Sequence, residues 1–148
     1  MRRITCNSDA HQMLNDIIEN YKTKSRAISA DGTCAYEYGG NRCALGMMMT
    51  EEDLEEIKRL KMNIGSGVSD INKIFNFTKQ EYQIFKMFQT LHDSECHWET
   101  EEGGELTEQG LTEVDYIRKQ INSILPKTEL EVILQECKQE EEFHNPDA

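Results

Sequence analysis

Most of the chemistry this sequence offers rests on Cys34 and Cys43, separated by eight residues, and on His92-Asp93 and Cys96 further along. Cysteine thiolates and imidazoles are the ligands zinc prefers, and a closed structural site takes four of them. Cys34, Cys43, His92 and Cys96 supply that number, and His92 and Cys96 at i and i+4 would share one face of a helix. They would complete a Cys3His or Cys2His2 set, although an eight-residue gap is wider than the usual two to four. The same residue types support a thiol nucleophile, Cys43 or Cys34, with His92 as its base. That chemistry needs a depressed thiol pKa and a base within hydrogen-bond reach. Asp93 directly follows His92, so on a regular helix the two side chains point about 100° apart, against a local His–Asp relay.

A third group reads as a binding rim. Tyr36, Tyr38 and Trp98 offer faces that stack on rings, and Arg42 pairs with phosphate or carboxylate. Tyr36, Tyr38, Arg42, His92 and Trp98 are therefore the expected ligand contacts. Each group also has a plain structural reading: buried cysteines behave as small hydrophobes, a histidine on an apolar face is commonly a core residue, and a hairpin face packs on a helix. No P-loop, G-x-G-x-x-G, H-E-x-x-H or EF-hand pattern is present. Gly65-Ser66-Gly67 ahead of Ser69 is short for a phosphate cradle. The Met47-Met48-Met49 run is adaptable apolar filling. No organic cofactor is expected, and zinc is the one ion these residue types suit.

Helices must position these residues. Met13, Leu14, Ile17, Ile18 and Tyr21 recur at helical spacing after Ser8 and give one apolar stripe. Thr33–Tyr38 and Arg42–Met47 flank Gly39-Gly40-Asn41 and read as a β-hairpin over about 33–47, with Cys34, Tyr36 and Tyr38 on one face. Thr50 caps a short helix carrying Leu54, Ile57 and Leu60, and Ser69-Asp70 starts another with Ile71, Ile74 and Phe75. Thr78-Lys79-Gln80-Glu81 is a complete capping box. It opens a long helix with Ile84, Phe85, Phe88, Leu91, His92 and Glu95 along one face. Glu99–Glu105 reads as an acidic, glycine-containing loop. Leu111, Val114, Ile117, Ile121, Ile124 and Leu125 mark a further helix stopped by Pro126. Thr128 caps a last one, with Leu130, Ile133, Leu134 and Cys137. The fold class is α+β, mainly helical with one small hairpin: a compact domain over 1–126, then an acidic helix and tail over 127–148.

Charge divides the chain as well, but earlier, so that the end of the helical domain shares the acidity of the tail. Of 148 residues, 28 are acidic and 16 basic; residues 1–98 carry a net of −2 and residues 99–148 a net of −10. Direct nucleic-acid binding is disfavoured, because phosphate neutralisation needs clustered Lys and Arg. The acidic end reads as a solvated face, or alternatively as a mimic of a phosphate backbone. Five cysteines form an odd set, without the density of a secreted scaffold, so reduced thiols are expected. With no signal-like or spanning apolar stretch, the chain is expected to be soluble and cytoplasmic, with no membrane contact.

Cys34-Ala35-Tyr36, Arg42-Cys43-Ala44-Leu45-Gly46, the helix start at Thr50-Glu51-Glu52 and Phe88-Gln89-Thr90-Leu91-His92-Asp93 together resemble a family of small phage and bacterial proteins. That family shows a C-x-Y-R…[KR]-C-A-x-G box and an L-Q-x-x-H-D stretch before a tryptophan-bearing helical end. The likeness spans about residues 8–125. Glu37 stands where the family has arginine, and the segment after Pro126 lies outside the pattern. The resemblance implies a small helical fold and a phage-associated context, and it brings no established chemistry. The expectation is a phage-type counter-defence factor that acts in the host cytoplasm by binding. It would sequester a nucleotide-like signal or inhibit a host protein, in a homo-oligomer if its pockets are shared between subunits. A thiol-dependent enzyme and an acidic nucleic-acid mimic are the alternatives.

Overall fold

The computed structural model describes residues 1–100, 103–127 and Cys137. Among these the helices are α1 (Asn7–Thr23), α2 (Glu51–Arg59), α3 (Val68–Phe75), α4 (Lys79–Asp93) and α5 (Glu108–Ile124). Two antiparallel strand pairs lie between them, β1 (Glu37–Tyr38) with β2 (Asn41–Arg42) and β3 (Trp98–Thr100) with β4 (Gly103–Leu106). The fold is α+β and mainly helical, as expected, but it has a second small sheet. The helix expected after Thr128 and the acidic tail lie outside the described residues, apart from the exposed, helical Cys137. No helix of the described residues is long and apolar enough to cross a membrane.

Capping chemistry sets the helix starts. The hydroxyls of Thr50, Thr78 and Thr107 accept from the amides of Asp53, Glu81 and Gly110, satisfying donors that the first turn leaves open. Asp53 and Glu81 return the bond to the amides of Thr50 and Thr78. The apolar stripes then meet in one core. Met13, Leu14, Ile17 and Tyr21 of α1 join Leu54 and Ile57 of α2, Ile84, Phe85, Phe88 and Leu91 of α4, and Val114, Ile117 and Ile121 of α5. Leu111 falls off this stripe and is exposed; Gly110, one residue earlier, is buried in its place.

Three expectations need correction. The hairpin over 33–47 contracts to two-residue strands, with Glu37 opposite Arg42 and Tyr38 opposite Asn41. Gly39 and Gly40 have φ of 60° and 84°, as a two-residue hairpin turn requires. Beyond Arg42 the Cys43 amide bonds to the Tyr36 carbonyl and the chain coils into a 3-10 turn over Gly46–Met48. Cys34, Tyr36 and Tyr38 accordingly do not share a face: Tyr36 is 2% exposed and Tyr38 40%. Third, α4 stops at Asp93, because Ser94 is extended and Glu95–His97 forms a separate 3-10 turn. His92 and Cys96 are therefore not one helical turn apart.

Candidate functional site

The segment that carries Cys34 is held on both edges. Ala35 donates to the Ala27 carbonyl on one side and Tyr36 to Asn63 on the other, while the Gly65 amide donates to the Cys34 carbonyl. Asp31 closes the loop before it, accepting from the Ser29 hydroxyl and from the Thr33 amide at 3.0 Å. Opposite stands the end of α4. His92 is fully buried, its backbone carbonyl accepting from the buried Arg26 guanidinium at 2.7 Å.

His92 Nδ1 lies 2.7 Å from Asp93 Oδ1. Adjacent residues on a helix were expected to diverge, and here they do not. Nδ1 is the ring nitrogen nearer the backbone, and Asp93 is the last residue of α4, so its half-exposed carboxylate folds back freely. Cys34 Sγ, a ring nitrogen of His92 and a carboxylate oxygen of Asp93 all lie within 4.8 Å of one another. His92 Nε2 is buried without a hydrogen-bond partner. Burial, then the charge of Asp93 and the hydrogen bond to it, pushes the Cys34 thiol up to about 11, against a smaller pull downward from Arg26.

The other expected ligands of the four-residue zinc set do not converge. Cys43 is fully buried, its sulfur accepts from the Gly46 amide at 3.2 Å, and burial pushes its thiol up to about 12. Cys96 is exposed on the 3-10 turn after α4. Nor do the aromatic and arginine contacts form one rim. The Tyr36 hydroxyl donates to the Ser66 carbonyl at 2.8 Å, and Arg42 is spent on Glu51 and the Met49 carbonyl. Trp98 is 3% exposed, its indole N–H donating to the Leu91 carbonyl at 3.0 Å. Tyr21 ties three of these residues together inside the core. Its ring sits 5.5 Å from His92 and 5.2 Å from Trp98, and its hydroxyl donates to the Arg42 carbonyl at 2.6 Å.

Two adjoining hollows open above the Cys34 segment. One, of about 210 Å³, is lined by Cys34, Tyr36, Ser66, Gln89 and Asp93 among others. The next, of about 280 Å³, shares Ser66, Gly67, Gln89 and Asp93 and continues to Ser69, Tyr82, Lys86 and Thr90. A third hollow, of about 490 Å³ between α4 and α5, is lined by Gln83, Glu113, Tyr116 and Gln120 and shares Lys86 and Thr90 with the second, but none of Cys34, Gln89 and Asp93 reaches it. Of the residues singled out in the sequence, Tyr36 from the expected ligand contacts and Cys34 from the zinc and thiol readings line the first hollow, and His92 is buried beside Asp93; Gln89, Tyr82 and Lys86 were not among the expected contacts, and Asp93 was set aside. Gln89, Lys86 and Tyr82 at spacings of three and four on α4 were the available signal. No family model, curated protein or solved structure matches this chain.

A raised thiol pKa gives a direct expectation for a nucleophile. At pH 7.5 iodoacetamide will modify exposed Cys96 well before Cys34, by roughly tenfold or more in rate, and Cys43 last. Peptide mass spectrometry over a time course reads the order. Equal labelling of Cys34 and Cys96 would restore the thiol-nucleophile reading.

Proposed function

We propose that this protein acts by binding, and that the double hollow along α4 takes a small polar molecule of nucleotide type. One observation carries the reading: a hydrogen-bonding end with Cys34, Gln89 and Asp93 runs into an end bearing an aromatic ring and a cation, Tyr82 and Lys86. Lys86 Nζ rests 5.6 Å from the centre of the Tyr82 ring. In the bound state Lys86 pairs with a phosphate, Tyr82 offers its face to a base, and Asp93 and Gln89 meet ribose hydroxyls. Joined to the phage-associated context that the sequence resemblance implies, this makes the chain a counter-defence factor that sequesters a nucleotide-like signal of the host.

Titration calorimetry against cyclic nucleotides, nucleoside phosphates and ADP-ribose derivatives tests it. One member of the panel should bind in the micromolar range or tighter, and Lys86→Ala should weaken it at least tenfold. Silence across the panel would overturn the reading, and a host protein recovered by pull-down in that case would replace it with an inhibitor. The thiol-dependent alternative is opposed by the raised pKa of both Cys34 and Cys43.

A further inference from the structure

We propose that Cys34, His92 and Asp93 form a site for one divalent metal ion of the zinc type, open toward the 210 Å³ hollow. The three donor atoms lie within 4.8 Å of one another. In a tetrahedral site with zinc bonds of about 2.0–2.3 Å, neighbouring donors stand roughly 3.3–3.7 Å apart, so small side-chain rotations close the set. A thiolate, an imidazole and a carboxylate together suit zinc far better than magnesium or calcium, which take oxygen donors.

The surroundings point the same way. Asp93 Oδ1 meets the buried His92 ring at Nδ1, 2.7 Å away, so an ion shared by the two residues is taken up on that side in place of the hydrogen bond. The ring is held from two sides: it packs on Tyr21, and Arg26 holds the backbone carbonyl of the same residue. Cys34 is fixed by the backbone bonds on either side of it. Two anionic ligands, the thiolate and the carboxylate, neutralise the ion. Binding releases the thiol proton of Cys34 to solvent, and His92 contributes the lone pair of a neutral ring.

Three protein ligands leave one tetrahedral position unfilled. Cys34 and Asp93 both line the hollow, so that position faces it, and a water or a donor group of a bound molecule can occupy it. The site shares Cys34 and Asp93 with the hollow of the nucleotide reading, but it needs neither Lys86 nor Tyr82, so the two can fail separately.

The test is cobalt(II) titration of the full chain after chelator treatment, followed by zinc competition. One equivalent should bind, with visible bands of low-symmetry cobalt and a near-ultraviolet thiolate-to-cobalt charge-transfer band, and zinc should displace it. Cys34→Ser should abolish the charge-transfer band, and Asp93→Asn should weaken binding at least tenfold. Both positions are partly exposed, so both variants should fold; circular dichroism checks this. Cys96→Ser and Lys86→Ala should leave the spectrum unchanged, which separates failure of this site from failure of nucleotide binding. Absence of stoichiometric cobalt, or a charge-transfer band that survives Cys34→Ser, would overturn the proposal.

Discussion

Glu81→Gln will lower the unfolding free energy at pH 7 by about 2–3 kcal/mol, and the loss will shrink as the pH falls toward 2. The Glu81 side chain is almost wholly buried at the start of α4. It accepts from Arg3 Nε at 2.9 Å and Nη2 at 2.7 Å, and from the amides of Ile4 and Thr78, each at 2.9 Å. Burial alone would favour the neutral acid. The Arg3 bonds and the two amides outweigh it and bring the carboxyl down to about 2. A pKa depressed on folding gives stability that is fully present above the unfolded value and is lost as the pH falls through the folded one. The window therefore runs from about 4.5 down to about 2. A depression of this size corresponds to about 3 kcal/mol, trimmed slightly because Arg3 is 41% exposed and screened. Urea titrations of both proteins at pH 7, 4 and 2.5 measure the effect. Parallel pH profiles for the two proteins would refute it.

Gly110→Ala will cost about 2–3 kcal/mol, where propensity alone predicts a gain of nearly 1 kcal/mol for alanine in a helix. A Cβ at Gly110 would stand 2.2 Å from the His97 carbonyl oxygen and 2.9 Å from Leu106 Cδ2. The first obstacle is backbone, and the His97 oxygen already accepts from the Thr107 amide at 2.9 Å, so it cannot simply move aside. Insertion would pry the amino end of α5 from the turn that follows α4. Thermal unfolding should show a fall in Tm on the order of 10 °C. A Tm that is unchanged or raised would mean that the turn yields.

Much of this fold is legible from capping chemistry. Thr50 and Thr78 mark their helices at the residue, because a capping box is local and its partners lie three residues apart. Pro126 likewise follows the end of α5. What was not legible depends on distant partners. Glu99–Glu105 has the composition of a loop, yet it contributes to β3 and β4. Gly103 packs so closely on the end of α1 that an added Cβ would be 3.2 Å from the Tyr21 carbonyl. Strand formation there follows from packing, which no propensity of Gly and Glu reveals.

The site shows the same division. Cys34 and His92 stand out by type, and the structure brings them together. The His92–Asp93 bond was hidden by the assumption that α4 continues to Glu95; it forms at the helix end, where the last side chain is free to turn back. Trp98 looked like a surface ring and is instead a core ring with its N–H satisfied by Leu91. Whether an aromatic residue faces solvent is decided by the elements that close over it.

Cys34 and His92 lie in one cluster but are separated by 57 residues of chain, which include the first strand pair, α2, α3 and most of α4. Any group gripped by both ends closes that long loop as a reversible cross-link. Because such a link is released on unfolding, its stabilisation is set by its affinity for the folded chain and its concentration, about 2.7 kcal/mol at a hundred times the dissociation constant. A group bound at these two residues would raise the melting temperature in step with its concentration, and the melting curve would report its binding.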